Sequence, residues 1–273
     1  MLTIDHSPMF IDTHCHLNFH QFDEDRDLVV QRAAAADVPI IINPAIDLQT
    51  SKQAIDLADR YPGVFAMVGV HPNDGDSFDE STLDVLRQLA AHPKVVAVGE
   101  IGLDYYWQRV DPDKQQRIFR SQLELAAALD LPVVIHCRDA HDDVRGILRE
   151  WVTGAQIQRG PDAILGVLHA FSGDLEMAQE AFDWHMVVSL GGPVTFRNAR
   201  ELHALVRELP LDCLILETDA PYLTPHPYRG KRNEPAYIPL IGQGISDLVN
   251  IELATVAEMS TSLARRTFFK LDG

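Results

Sequence analysis

Three side chains able to bind a metal ion occupy alternate positions of one short stretch, Asp12-Thr13-His14-Cys15-His16. Side chains along a strand alternate between its two faces, so His14 and His16 share a face and can aim at one point. By the same parity Asp12 lies one layer deeper, placed to orient a metal-bound imidazole. Further along, apolar runs end in the same manner: His71 in GVHP, Glu100 in VGEIGLDYY, His136 in VIHCRD, His169 in LHAFSG and Asp219 in LETDAPYL. A lone histidine at the end of an apolar run is ordinarily a structural side chain. Imidazoles and carboxylates converging from many such runs need another reason, because burying charge is costly unless it is paired or metal-bound. The pattern is therefore that of a metal centre. Glu217 shares a face with Asp219 and is expected either to support that centre or to serve packing.

The elements that must deliver these residues form a repeating order. Apolar, β-branched runs at 9–14, 39–45, 65–71, 95–102, 132–136, 164–170, 186–192 and 213–219 read as strands. They are continuously apolar, as strands covered on both faces are. Amphipathic segments at 25–37, 48–61, 79–92, 111–130, 142–152, 174–184 and 198–209 separate them, and helices at 237–249 and 252–269 close the chain. Alternating strands and helices imply a parallel sheet, and eight such units favour an α/β fold of the (β/α)8 TIM-barrel type, a single domain spanning residues 1–273. No GxGxxG follows the first strand, which weakens a dinucleotide-binding reading. In a barrel, substrates meet the carboxyl ends of the strands, where the metal-capable residues fall. The one long irregular piece, residues 220–236, carries four prolines and reads as a functional loop.

Composition sets outer limits. The chain has 273 residues, 46% of them hydrophobic and 23% charged, with a formal net charge of −17. No apolar run approaches the roughly 20 residues of a membrane helix, and the first residues lack the basic and apolar regions of a secretory signal. Three cysteines, Cys15, Cys137 and Cys213, fit buried reduced thiols rather than a disulfide framework. The expectation is a cytoplasmic protein without membrane attachment or an obligate protein partner. The acidic balance argues against broad attraction to nucleic acid. It leaves room for a nucleic-acid substrate held by local charge and bound cations.

The series DTHCHL (12–17), GVHP (69–72), GEIGLDYY (99–106), VIHCRDA (134–140), HAFSG (169–173), SLGG (189–192), ETDAPYL (217–223) and RGKRNEP (229–235) resembles the TatD family of metal-dependent deoxyribonucleases, within the wider amidohydrolase-like barrels. The pieces occur in family order and cover nearly the whole chain. Relatives that use a carboxylated lysine bridge would have Lys where this chain has Glu100. The resemblance implies two divalent ions: one held by His14, His16, Glu100 and Asp219, the other by Glu100, His136 and His169, with Glu100 bridging. It also implies that Asp219 acts as a base, so Glu100 and Asp219 are the catalytic candidates. Two cations about 4 Å apart can clamp a phosphodiester, activate a bound water and stabilise the leaving oxygen. Mixed imidazole and carboxylate ligands suit Zn, Mn or Fe, while the family's activity is usually Mg-dependent.

Residues facing the substrate are sought among the rim loops. Arg229, Lys231 and Arg232 form the densest basic cluster and are candidates for phosphate contact, as are His71 and Arg138. Tyr105, Tyr106 and Tyr222 are candidates for stacking on bases. The expected activity is a 3′–5′ exodeoxyribonuclease acting on single-stranded or frayed DNA, its polarity and end preference implied by the resemblance. The alternatives are hydrolysis of a small phosphoester, lactone or amide on the same barrel, and a non-catalytic, metal-stabilised binding protein with closed coordination.

Overall fold

The computed structural model describes residues 9–107, 109–160 and 162–272. Eight strands, β1 (Ile11–Asp12), β2 (Ile40–Asn43), β3 (Val64–Val68), β4 (Val95–Asp104), β5 (Val133–Arg138), β6 (Gly166–Leu168), β7 (Met186–Leu190) and β8 (Leu214–Leu216), pair in chain order, each parallel to the next. The first and last strands meet through backbone bonds. Thr13 N–H donates to Leu216 O at 3.1 Å, Asp219 N–H to His14 O and His16 N–H to Ala220 O, both at 2.8 Å. The sheet is a barrel, as the eightfold strand–helix alternation predicts.

The helices between successive strands are α1 (Arg26–Ala35), α2 (Leu48–Arg60), α3 (Glu80–Ala90), α4 (Pro112–Ala128), α5 (His141–Arg159), α6 (Leu175–Asp183) and α7 (Arg200–Glu208), followed by α8 (Ile238–Val249) and α9 (Leu253–Thr267). Several start on an aspartate that accepts the exposed amides of the first turn. Asp47 accepts Thr50 N–H at 2.7 Å, Asp79 accepts Thr82 N–H at 3.0 Å, and in both the threonine hydroxyl is returned to the cap. Such caps contribute about 1 kcal/mol each and fix where the helix begins. Helix α5 runs well past the 142–152 of the sequence pattern. Among the described residues no helix is long and apolar enough to cross a membrane.

Two apolar layers hold the barrel. Ile11, Ile42, Met67, Ala97, Val134, Val167, Val187 and Ile215, one residue from each strand, fill the interior with Phe65 and Val96. Leu263, Ala264 and Phe268, from α9 and the turn after it, pack against the same cluster and plug the end of the barrel opposite the rim. The larger layer lies between strands and helices and includes Phe10, Phe22, Leu86, Phe119 and Leu148. The lower interior is thus apolar, and the polar residues gather at the carboxyl ends of the strands.

Two local departures matter for the site. Strand β4 continues two residues beyond the expected end at 102, because Leu103 and Asp104 pair with Cys137 and Arg138 of an equally extended β5. Glu100 therefore sits inside the strand and Asp104 ends it. At Gly102, with φ of 139°, a Cβ would collide with the His136 carbonyl oxygen, so only glycine lets the two strands approach where both carry functional side chains.

Candidate metal centre

Glu100 is the hub. Its Oε1 lies 2.8 Å from His136 Nδ1, 3.0 Å from His169 Nε2 and 3.5 Å from His71 Nε2. Its Oε2 lies 3.4 Å from His14 Nε2 and 3.6 Å from His16 Nε2. Asp219 Oδ1 lies 3.6 Å from His16 Nε2 and 3.9 Å from His14 Nε2. Three sets of possible ligand atoms, each within 4.8 Å of one another, overlap here: His14–Glu100–His169, His14–His16–Asp219 and His71–Glu100–His136. The six residues expected as ligands are all brought together, from β1, β4, β5, β6 and β8 or the turns just past them. His71, expected at a phosphate, joins the same cluster.

The turns are built for this. Asp219 and Ala170, the latter directly after His169, adopt left-handed backbone with φ of 53° and 44°. Non-glycine residues in that region are uncommon and concentrate at functional sites. The bend at Ala170 comes directly after the inward-facing His169, and the bend at Asp219 falls on a candidate ligand itself.

The donor set fits divalent metal ions. His14 is fully buried, yet neither of its ring nitrogens has a hydrogen-bond partner, and His16 Nδ1 is also orphaned. A buried unsatisfied polar group costs about 1–3 kcal/mol, a cost that a cation would remove at His14 Nε2, the orphan facing Glu100 and Asp219. Burial by itself would raise Glu100, but His169, His71 and His136 hold it well below the usual carboxylate range. Asp219 is likewise lowered, against burial, by the neighbouring His16 and His14 imidazoles. Burial would depress His169, yet Glu100 and Glu217 raise it well above an ordinary imidazole. His14 is lowered, by burial first and then by His169. Two ionised carboxylates facing buried imidazoles give the mixed oxygen and nitrogen set that transition-metal ions accept.

Supporting groups fix the ring orientations. Glu217 Oε1 lies 3.4 Å from His169 Nδ1 and accepts Ala170 N–H at 2.7 Å, while its Oε2 accepts the Ser189 hydroxyl at 2.5 Å. Glu217 therefore faces His169 with its charge, without a hydrogen bond to the ring, and holds the turn behind it through Ala170 and Ser189. Asp12 differs from the expectation: among the described residues it makes no hydrogen bond or ion pair to an imidazole ring. Its oxygens accept His14 N–H at 3.2 Å, Thr218 N–H at 2.9 Å and Thr218 Oγ1 at 2.6 Å, and burial pushes its carboxyl up to about 7. The reason is that regular alternation ends at β1. Ile11 packs with the interior cluster, so Asp12 falls in the seam between β1 and β8 and holds backbone there.

Asp104 carries a role that parity could have revealed, since it shares a face with Glu100. Its Oδ2 lies 3.1 Å from His136 Nε2 and accepts Asn73 Nδ2–H at 2.9 Å. Its Oδ1 accepts the backbone amides of Tyr106 and Trp107, both at 3.0 Å. One carboxylate thus steadies an imidazole of the centre and the loop beside it.

A cavity of about 700 Å³ opens over the cluster, lined by His16, Glu100, His136, His169 and Asp219 and by the rim residues Phe19, Trp107, Arg109, Arg138 and Tyr222. Of the substrate-facing candidates, His71, Arg138 and Tyr222 line it. Tyr106 is exposed beside it with one face covered by the Arg138 guanidinium at 4.1 Å. Tyr105 is turned away, its hydroxyl donating to Asp143 at 2.6 Å. The basic cluster also departs from expectation. Arg232 is committed to Asp25 through two bonds of 2.7 and 2.8 Å and to Gln21 O at 2.7 Å. Arg229 lies over the Phe196 ring at 4.0 Å and Lys231 over Tyr228 at 5.6 Å, and none of the three lines the cavity. Carboxylate and aromatic partners close at hand hold these cations on the flank of the loop. Trp107 and Arg109, which no sequence pattern singles out, take the place at the mouth.

Comparison with known proteins agrees with this geometry. The model of the family described as TatD related DNase matches residues 11–269. A Bacillus subtilis protein named uncharacterized metal-dependent hydrolase YabD is 41% identical, covering 95% of this chain and 99% of that one. A Klebsiella pneumoniae protein named 3′-5′ ssDNA/RNA exonuclease TatD is 38% identical, covering 96% and 98%. The crystal structure of YJJV, a TatD homolog from Escherichia coli, superposes with a TM-score of 0.87 at 32% identity, over 95% and 98% of the two chains. With a family match across almost its whole length and relatives of matching extent, the chain belongs to the TatD related DNase family of metal-dependent hydrolases.

Proposed function

We propose that this chain, working as one domain, is a phosphodiesterase that removes nucleotides from the 3′ end of single-stranded or frayed DNA. RNA is a second substrate on the strength of the name carried by the Klebsiella pneumoniae relative. The observation that supports the reading most directly is the overlap of ligand-capable triads through Glu100 beneath an open cavity with arginines at its mouth. His14, His16, Glu100 and Asp219 would hold one divalent ion and Glu100, His136 and His169 a second. When bound, such ions supply positive charge to a phosphodiester and make water a better nucleophile at neutral pH.

The chain's own residues do the rest. Asp219 is ionised and has 15% of its side chain exposed toward the cavity, so its carboxylate can take the proton of the attacking water. Glu217 and Asp104 keep His169 and His136 in fixed orientation, which limits reorganisation during the reaction. Arg138 reaches the mouth to meet a phosphate oxygen. The test is product analysis on end-labelled single-stranded DNA and RNA with Mg, Mn and Zn in turn. Stepwise shortening from the 3′ end is expected. Cleavage only of small esters or amides, with intact oligonucleotides, would overturn the assignment.

A further inference from the structure

At the cavity mouth the loop after β4 presents an arrangement that the metal chemistry does not need. Trp107 lines the cavity with 54% of its surface exposed, and Tyr106 beside it is equally exposed. The two rings meet edge to face at 5.1 Å. Arg138 lies over Tyr106, and the guanidinium groups of Arg109 and Arg138 stand 5.7 and 5.9 Å from the Trp107 ring centre. Neither arginine makes an ion pair among the described residues, whereas Arg26, Arg32, Arg60, Arg120 and Arg145 are each held by a carboxylate. An exposed indole has no reason of stability to stay in water. It is also anchored: Asp104 fixes the Tyr106 and Trp107 amides with the oxygen not turned to His136.

We propose that Trp107 is a stacking platform for the nucleobase flanking the scissile phosphodiester, with Arg109 and Arg138 engaging the phosphate joined to that nucleotide. The inference rests on the nuclease reading and adds the part of the substrate that the metal-capable cluster cannot recognise. Indole stacking tolerates any base, since every base offers a π face, and flanking guanidinium groups suit the phosphate. A base can lie flat on Trp107 only when it is unpaired, so the platform selects single-stranded and frayed ends. Tyr106 is the poorer platform, because Arg138 packs on its ring at 4.1 Å, whereas the guanidinium groups over Trp107 stand off at 5.7 and 5.9 Å.

The experiment compares kcat/KM for a single-stranded oligonucleotide with that for the same strand bearing an abasic residue at its 3′-terminal or penultimate position. The wild-type chain is expected to prefer the base-bearing strand, and Trp107→Ala to reduce that preference about 10-fold, chiefly through KM. Trp107→Tyr, which keeps an aromatic face, is expected to restore most of it. A preference unchanged in Trp107→Ala, at both positions, overturns the platform while leaving the nuclease assignment standing. Failure of the wild-type chain to cleave either strand in any divalent metal overturns the nuclease assignment itself.

Discussion

Asp104 Oδ2 stands 3.1 Å from His136 Nε2, on the opposite side of the ring from Glu100, which meets Nδ1 at 2.8 Å. Both carboxylates raise His136 above an ordinary imidazole, against the lowering effect of burial. His136 would offer a cation the nitrogen that faces Glu100, while Asp104 would orient the ring through Nε2. Replacing Asp104 by Asn removes that charge at nearly constant shape. The expected result is a loss of about 10- to 100-fold in divalent-metal affinity, read by calorimetric titration with Mn or Zn. An affinity equal to wild type would leave Asp104 as a loop cap alone.

Glu100→Ala removes the one carboxylate shared by two of the ligand-capable triads. Metal content per chain, read by elemental analysis, is expected to fall together with activity, the latter by at least about 100-fold. Full metal occupancy with a normal rate would place the ions elsewhere.

The orphaned Nε2 of His14, facing Glu100 and Asp219, predicts that metal binding stabilises the fold. At a free-ion concentration 100-fold above Kd, linkage adds about 2.7 kcal/mol, and Tm rises by several degrees. Chelation is expected to reverse the shift and to abolish turnover. A Tm indifferent to divalent ions, or undiminished turnover in excess EDTA, would remove the metal from the mechanism.

Arg232 and Arg138 are expected to behave oppositely. Arg232 hydrogen-bonds Asp25 and, with Arg32, holds that carboxyl down to about 2 against an ordinary 3.8. The folded-state value is the lower one, so the stabilisation is complete above the unfolded value and is lost as pH falls from about 4 toward 2. Arg232→Ala should therefore cost stability at pH 7, on the order of 1 kcal/mol or less for so exposed a pair. The difference from wild type should shrink in acid. Its salt dependence of oligonucleotide binding should match wild type, while Arg138→Ala should flatten that slope by about one ion. The reverse result would return Arg232 to the phosphate.

Much of the site was legible because each ligand candidate closes an apolar run, and a charged or imidazole side chain at such a position needs a partner that local sequence does not provide. Eight runs separated by amphipathic segments gave the barrel, and the barrel rule put His14, His16, Glu100, His136, His169 and Asp219 on one rim. Parity misled at Asp12, where the strand ends and its side chain turns into the β1–β8 seam. Density of charge did not foretell which partners Arg229, Lys231 and Arg232 meet in the fold. Proximity in sequence says nothing of the carboxylate or ring that each cation meets, and Asp25 lies 207 positions from Arg232.

The order of elements, the chemical types at the strand ends and the apolar fill of the barrel follow from periodicity and residue type. Which groups share a contact depends on how the strands and turns come together. Asp104 meets His136 because β4 and β5 extend together, Glu217 meets His169 across three neighbouring strands, and Trp107 reaches the cavity because Asp104 holds its amide. Such distances of a few ångströms between residues tens of positions apart are set by strand register and turn geometry, which no local pattern encodes.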